Sequence, residues 1–503
     1  MLARRRLFSC FIVTLSSILY FTLNYVTNSI NQAIKTPYMD EVFHIPQAQH
    51  YCRNHFETYD PKLTTPPGLY LISYIILWLR DRLLLRREHL VCDSIDLRRT
   101  NHVIAVFCFM TIILIQLVTL AKIRRQNFTQ SIPRTIDYLT NLDLTRIVLN
   151  SISIVTIPPL FFFYSLYYTD SGSLLFTLLV YYFSLSERHL LASIFGLIAV
   201  TFRQTNIVWV FYAACLTILQ TFEEFSLVES SSTGTGGISD ECELLDKNDS
   251  HSRRKSRGKL PGPRNSEKLI SFNQGLMLAL IKRCLPYATV GLLFLLFILL
   301  NKGIVLGDKE AHQPKLHLAQ ILYFLGFCSL FGTAWMFQLR ILKRFLYFTI
   351  RSPLTVVLAG SVIIFLIASG RYAHPYLLAD NRHITFYIWR RILDRHNSYV
   401  PYMLTPVYLI ASFSVWHHFR SQGCKRLLLF IFCSLMVIVP NGLFELRYFI
   451  IPYALLRLNA DVGASSASLE ILQNILTNIG MHYLFLHKTF RWTDSQELQR
   501  IMW

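Results

Sequence analysis

Long apolar runs decide what this chain can fold into. FIVTLSSILYFTLNYV from Phe11 and ATVGLLFLLFILL from Ala288 are two of many. A helix of about twenty such residues matches the thickness of a bilayer core. The rest of the chain has too little charge to cover a soluble protein of 503 residues, being 53% hydrophobic and only 16% charged. By the length criterion there are about twelve to fourteen candidate spans. The expected fold class is an all-α polytopic membrane protein.

The net charge of +19 raises the question of nucleic acid, but the cations are not gathered on one polar domain and no recognition motif accompanies them. They recur in short loops between apolar runs, at Arg124 and Arg125, Arg253 to Lys255, Lys343 and Arg344, and Lys425 and Arg426. That is the pattern of cytosolic loops. The first apolar run follows Arg4, Arg5 and Arg6 and lacks a small-residue cleavage site, so residues 1–27 read as a retained signal-anchor. Residues 28–100 then form one large non-cytosolic loop. This holds only if the short run Gly68 to Leu79, stopped by Arg80-Asp81-Arg82, lies along the membrane rather than crossing it. The Arg-rich tract up to Arg99 strains that topology, although Asp81, Glu88, Asp93 and Asp96 largely balance it. Residues 101–221 make a first bundle and 283–503 a second. Between them, 222–282 carries STGTGG and HSRRKSRGK and reads as a disordered cytosolic insert. The sequons at Asn127 and Asn248 fall on cytosolic loops and should carry no glycan. Ten scattered cysteines include no CxxC pair. Cys52 and Cys92 share the one oxidising loop, either as a disulfide or as two free thiols.

Polar residues collect on the non-cytosolic side. Asp40 and Glu41 are adjacent acids set among Tyr38, Phe43 and Pro46, with His44 close by. A carboxylate on an apolar rim can be tuned toward general-base work, whereas acids just outside a membrane can also be plain solvated surface. Asp308, Lys309, His312 and His317 follow another span. Two histidines five apart share a helical face poorly and lack further ligands, so hydrogen bonding to a hydroxyl-rich substrate is favoured over a metal site. The densest cluster is Arg371, His374, Asp380, Asn381, Arg382 and His383, interleaved with tyrosines and Trp389. Cations with aromatic rings suit a phosphate that bears a sugar. Snorkelling arginines in an aromatic belt account for Trp389 and Arg390 but not for the Asp-Asn-Arg-His run. Arg203 with Gln204, and Glu445 with Arg447, lie beside apolar runs, where ionisable residues are costly and usually functional. No Walker loop, dinucleotide fingerprint or Ser/His/Asp arrangement stands out, and no DxD triplet for a nucleotide sugar is present.

PYMDEVFHIPQAQHYC, DPKLTTPPGLY, TFRQTNIVW, HPYLLADNRHITFYIW and LFELRYFIIPY follow one another from about Tyr38 to the final QRIMW, broken by 221–282. Together they resemble the dolichyl-phosphate-glucose-dependent alpha-1,2-glucosyltransferases of the N-glycan precursor pathway. The resemblance implies a GT-C-type helix bundle with its active site on the lumenal face of the endoplasmic reticulum membrane and in-plane helices in the first loop. It implies dolichyl phosphate glucose as donor, a dolichol-linked oligosaccharide as acceptor, no cofactor and no nucleic-acid partner. Asp40 would be the base, with Glu41 orienting it or binding acceptor. Arg203, Arg371, His374, Arg382, His383 and Arg447 would hold the donor, and His44, Gln204, Asp308, Lys309 and His317 the acceptor. A polytopic transporter or scramblase is the alternative, although no matching halves are visible.

Overall fold

The structure, a computed structural model, describes residues 2–86, 90–127, 139–233, 263–307, 309, 315–370, 375–393, 399–493 and 497–503. Helix α1 (Leu2–Ala33) runs beside α4 (Ser94–Asn127), and both are long and apolar enough to cross a bilayer. Between them lie α2 (Glu41–Cys52) and α3 (Gly68–Leu79), the latter continuing into a π-turn at Arg80–Leu84. At 1.5 Å per residue α3 is about 18 Å long, short of a crossing. Gly68 lets its first turn close on the end of the neighbouring helix, since a Cβ there would meet the Thr201 backbone at 2.7 Å.

Cys52 and Cys92 form a disulfide, with Cα atoms 6.5 Å apart, that ties the end of α2 to the approach to α4. The Arg-rich tract is internally paired. Arg80 bridges Asp81 at 2.7 Å and Asp96 at 2.8 Å, and Asp81 is buried. α4 begins at Ser94, so the loop of the sequence reading gives up its last residues to a helix.

Helices α5 (Asn141–Val155) and α6 (Pro158–Tyr164) bend 70° at a tandem proline that cannot continue the hydrogen-bond ladder. α7 (Asp170–Leu185) packs on α4 and on α8 (His189–Phe202), with Gly172 directly against the Phe202 ring. α9 (Ile207–Thr233) and α10 (Pro263–Asn301) flank the insert. The insert is narrower than 222–282. Residues 222–233 extend α9 and 263–282 open α10, joined by Arg283–Glu224 at 2.7 Å, while the disorder expected of its middle, 234–262, lies outside the described residues. The sequon at Asn248 is there too.

The second bundle starts with α11 (Gln320–Phe331) and includes the pair Leu339–Arg351 and Pro353–Ser369, which bend 107° at Pro353. Among the described residues four helices are individually long and apolar enough to span, or up to six if each bent pair counts as one. Fewer helices pass this test of length and composition than the apolar runs suggested, because several runs fold as short helices. α7, α8 and α11 have 16, 14 and 12 residues, or roughly 18–24 Å against a core of about 30 Å. α10 leaves Leu292, Leu296, Leu299 and Leu300 exposed, a face for lipid. The one sheet among the described residues is a hairpin of β1 (Thr489–Arg491) and β2 (Leu498–Arg500), with Phe490 opposite Gln499. Beyond it Ile384 N–H donates to the Met502 carbonyl and Met502 N–H to that of Arg382, each at 2.8 Å. These bonds bring the end of the chain against the Asp-Asn-Arg-His run.

Candidate active site

The turn before α2 sets the geometry. Met39 adopts φ +56°, a left-handed conformation that a bulky L-residue enters at a cost of roughly 1–3 kcal/mol. Glu41 over-determines it. Its fully buried carboxylate accepts from Arg98 at 2.5 and 2.8 Å, from Tyr167 N–H at 2.8 Å and from Tyr38 N–H at 3.2 Å. Tyr38 is held in turn by β2: its hydroxyl accepts from Arg500 N–H at 2.9 Å and donates to the Arg500 carbonyl at 3.1 Å. The Tyr168 hydroxyl accepts from Asp40 N–H at 3.2 Å. The consequence is a division between neighbours. Glu41 is sealed, and the Asp40 side chain, 40% exposed, faces a cavity of about 480 Å³.

The opposite wall comes from two helix breaks. At TFRQTN, α8 ends and Asn206 accepts the task of capping it, donating to the Ala199 carbonyl at 2.8 Å. This leaves Arg203 extended, with its guanidinium on Asp170 at 2.8 Å. At ELRY, a 3-10 turn over Leu446–Phe449 directs Arg447 between Asp40, at 2.8 Å, and Glu445. The Arg447 guanidinium also lies over the Tyr168 and Tyr448 rings at 6.0 and 5.9 Å. Asp40 and Arg447 line a second recess of about 40 Å³ as well, with His383, Glu445 and Trp503.

Electrostatics follow from this packing. Burial works against ionisation of Asp40, but the Arg447 guanidinium, helped by His44 and His383, outweighs it and holds the carboxyl below the usual carboxylate range. Glu445 is shifted the same way by the same cation against the same burial penalty. Burial pushes His44 down to about 4, so it is neutral at pH 7, with Nδ1 2.7 Å from the Tyr70 hydroxyl. The site thus offers an ionised carboxylate, two arginines and neutral hydrogen-bonding groups around one space, which suits a phosphate and sugar hydroxyls.

Of the residues singled out in the sequence, the structure brings Asp40, His44, Arg203, Gln204 and Arg447 to the cavity and His383 to the adjoining recess. Gln204 is anchored there by donating to the Thr64 carbonyl at 2.7 Å. Four others stand elsewhere. Glu41 lines neither space. Arg382 is locked in a fork on Asp380 and lies over the Trp492 ring at 4.7 Å. His317 is buried beside Tyr323, and Lys309 is exposed on the loop after α10. Arg371, His374 and Asp308 lie outside the described residues. Sequence reasoning missed Asp170, a buried acid on the cavity wall with Oδ2 unpaired by protein, and Arg98, the partner of Glu41. Among the described residues no group of three His, Cys, Asp or Glu is placed to hold a metal ion.

Fold and site define a polytopic helical membrane protein with a half-enclosed charged cavity fitted for an anionic, hydroxyl-bearing substrate. Comparison with known proteins identifies the kind. The family model described as DIE2/ALG10 family matches residues 34–458, and the chain belongs to that family. It is 34% identical to a Homo sapiens protein named Dol-P-Glc:Glc(2)Man(9)GlcNAc(2)-PP-Dol alpha-1,2-glucosyltransferase, over 95% of each chain. Proteins of the same name from Drosophila melanogaster and Arabidopsis thaliana are 34% and 31% identical, over 92% and 94% of this chain and 93% and 96% of theirs. No solved structure matches the chain.

Proposed function

We propose that this protein is an inverting glucosyltransferase that moves glucose from dolichyl phosphate glucose to a dolichol-linked oligosaccharide, forming the terminal α-1,2 linkage of the N-glycan precursor. The observation that carries this reading is the Asp40 carboxylate on the cavity wall, paired at 2.8 Å with Arg447, in a chain that resembles the named transferases along nearly its whole length. Asp40 takes the proton of the acceptor hydroxyl as its oxygen attacks the anomeric carbon. The bond from that carbon to the phosphate breaks on the opposite face, and a β-linked donor gives an α-linked product. Dolichyl phosphate departs as a stable anion, so no second carboxyl group is needed to protonate it, unlike in glycoside hydrolysis. Arg447, Arg203 and His383 hold the departing charge. Arg371 and His374 belong to this group on the strength of their motif. His44 and Gln204 serve acceptor hydroxyls. No cofactor enters the scheme, since the donor is itself a substrate.

The site faces the lumen of the endoplasmic reticulum in this reading. The Cys52–Cys92 disulfide supports it, because such bonds persist in oxidising compartments, as do the basic loops on the other side. Peptide-N-glycosidase sensitivity at Asn127 or Asn248 would contradict that orientation. The activity is tested with the full chain in lipid nanodiscs, supplied with dolichyl phosphate glucose and the diglucosylated acceptor. One added α-1,2-linked glucose is expected, and donor hydrolysis without transfer, or no reaction, overturns the proposal.

A further inference from the structure

Among the described residues, Arg447 is the one side chain that touches the expected base, lines both spaces and carries the charge a phosphate needs. Its donors are divided. Nε goes to Glu445 and Nη1 to Asp40, and among the described residues no hydrogen bond from Nη2 is seen. Glu445 itself is only 12% exposed and, apart from Arg447, meets the Tyr448 hydroxyl. It lies against the recess rather than in the larger cavity, so its carboxylate is not placed for substrate hydroxyls there.

We propose that Glu445 is a positioning residue that fixes the Arg447 guanidinium by its Nε edge, so that an arriving donor phosphate draws the cation from Asp40 and frees that carboxylate to act as base. The inference rests on the glucosyl transfer proposed above. Asp40 is ion-paired with Arg447 at 2.8 Å, and a carboxylate stabilised by a cation is a poorer proton acceptor. A phosphate on Nη2 shares the same positive charge. Among the described residues, the remaining charged or titratable groups around Asp40 and its two spaces are His44 and Glu41 on α2, Lys62 before α3, Tyr168 after α6, Asp170 and Arg203 from α7 and the α8–α9 break, Tyr448, and His383. None of them bridges base and phosphate as Arg447 does. Acceptor deprotonation is thereby reserved for the donor-loaded enzyme.

Glu445 has two opposed effects, and these supply the test. Its negative charge weakens the pull of Arg447 on phosphate and also weakens its grip on Asp40. Glu445→Gln keeps an oxygen for Nε but removes the charge. With the full chain in nanodiscs, the variant is expected to show a lower KM for dolichyl phosphate glucose together with a kcat reduced roughly tenfold. Glu445→Asp, which keeps the charge, should recover most of the rate. A rise in donor KM with kcat unchanged, or no change in either, overturns the proposal. The unmodified protein provides an independent reading that needs no variant to fold. The acid limb of kcat/KM for acceptor at saturating donor should lie at higher pH than that of kcat/KM for donor, because the loaded phosphate offsets the cation that depresses Asp40. Coincident limbs contradict the mechanism. If the unmodified protein transfers no glucose at all, it is the activity that fails and not this assignment.

Discussion

Two arginine–carboxylate regions flank the same turn, and they are finished differently. Around Glu41 and Arg98 everything is closed. Both side chains are fully buried, and the carboxylate takes four hydrogen bonds. Around Asp40, Arg447, Arg203 and Asp170 the partners are fewer, the cavity is open, and Asp170 Oδ2 has no protein donor. Charges buried for architecture are saturated, since an unpaired one is expensive. Charges meant for a ligand are left with capacity. Adjacent residues of one dipeptide thus serve opposite ends: Glu41 builds the turn, and Asp40 is what the turn presents.

The contrast can be broken at several points. The largest effect is expected at the open region, where Asp40→Asn should lower the transfer rate by about 10²–10⁴-fold, the usual contribution of a general base, with thermal unfolding unchanged. At the closed region Arg98→Met strands a buried carboxylate, and a loss of about 3–5 kcal/mol is expected in detergent-denaturation or thermal-shift measurements. Replacing Glu41 by Leu as well should return part of it. Cys52→Ser, which frees α2 from the approach to α4, should cost about 2–4 kcal/mol by the same measurement, and mass mapping without reduction should recover the Cys52–Cys92 peptide pair from the native protein. The smallest but most diagnostic change is in pH dependence. Activity requires ionised Asp40 and is lost as pH falls through its pKa. Arg447 depresses that pKa, so Arg447→Gln should move the acid limb of the rate upward while raising donor KM.

Much of this division was legible in the sequence, and the reasons for the rest are specific. The acid pair stood out because Tyr38, Phe43 and Pro46 are poor company for solvated surface, and Arg203 and Arg447 because ionisable residues beside apolar runs need a purpose. The length of α3 followed from the charges that stop it. Which acid faces the cavity could not be read, because it depends on the left-handed turn at Met39 and on Arg98, fifty-seven positions along the chain. Arg98 was hidden in a tract whose charges largely cancel by count. Asp170 had a visible signal, an acid following YSLYYT at the head of an apolar run, the same criterion that picked out Arg203. The burial of His317 beside Tyr323 had no sequence signal, because spacing says nothing about which side of a loop packs inward. The docking of Met502 on Arg382 joins segments with no shared periodicity.

The division between Asp40 and Glu41 is tested most directly by measuring turnover per folded molecule and unfolding temperature side by side for Asp40→Asn and Glu41→Gln. The expected result is a crossing: the first variant as stable as the unmodified protein and nearly inactive, the second markedly destabilised yet still transferring glucose in its folded fraction. An active Asp40→Asn beside a stable but inactive Glu41→Gln would reverse the roles and contradict the account.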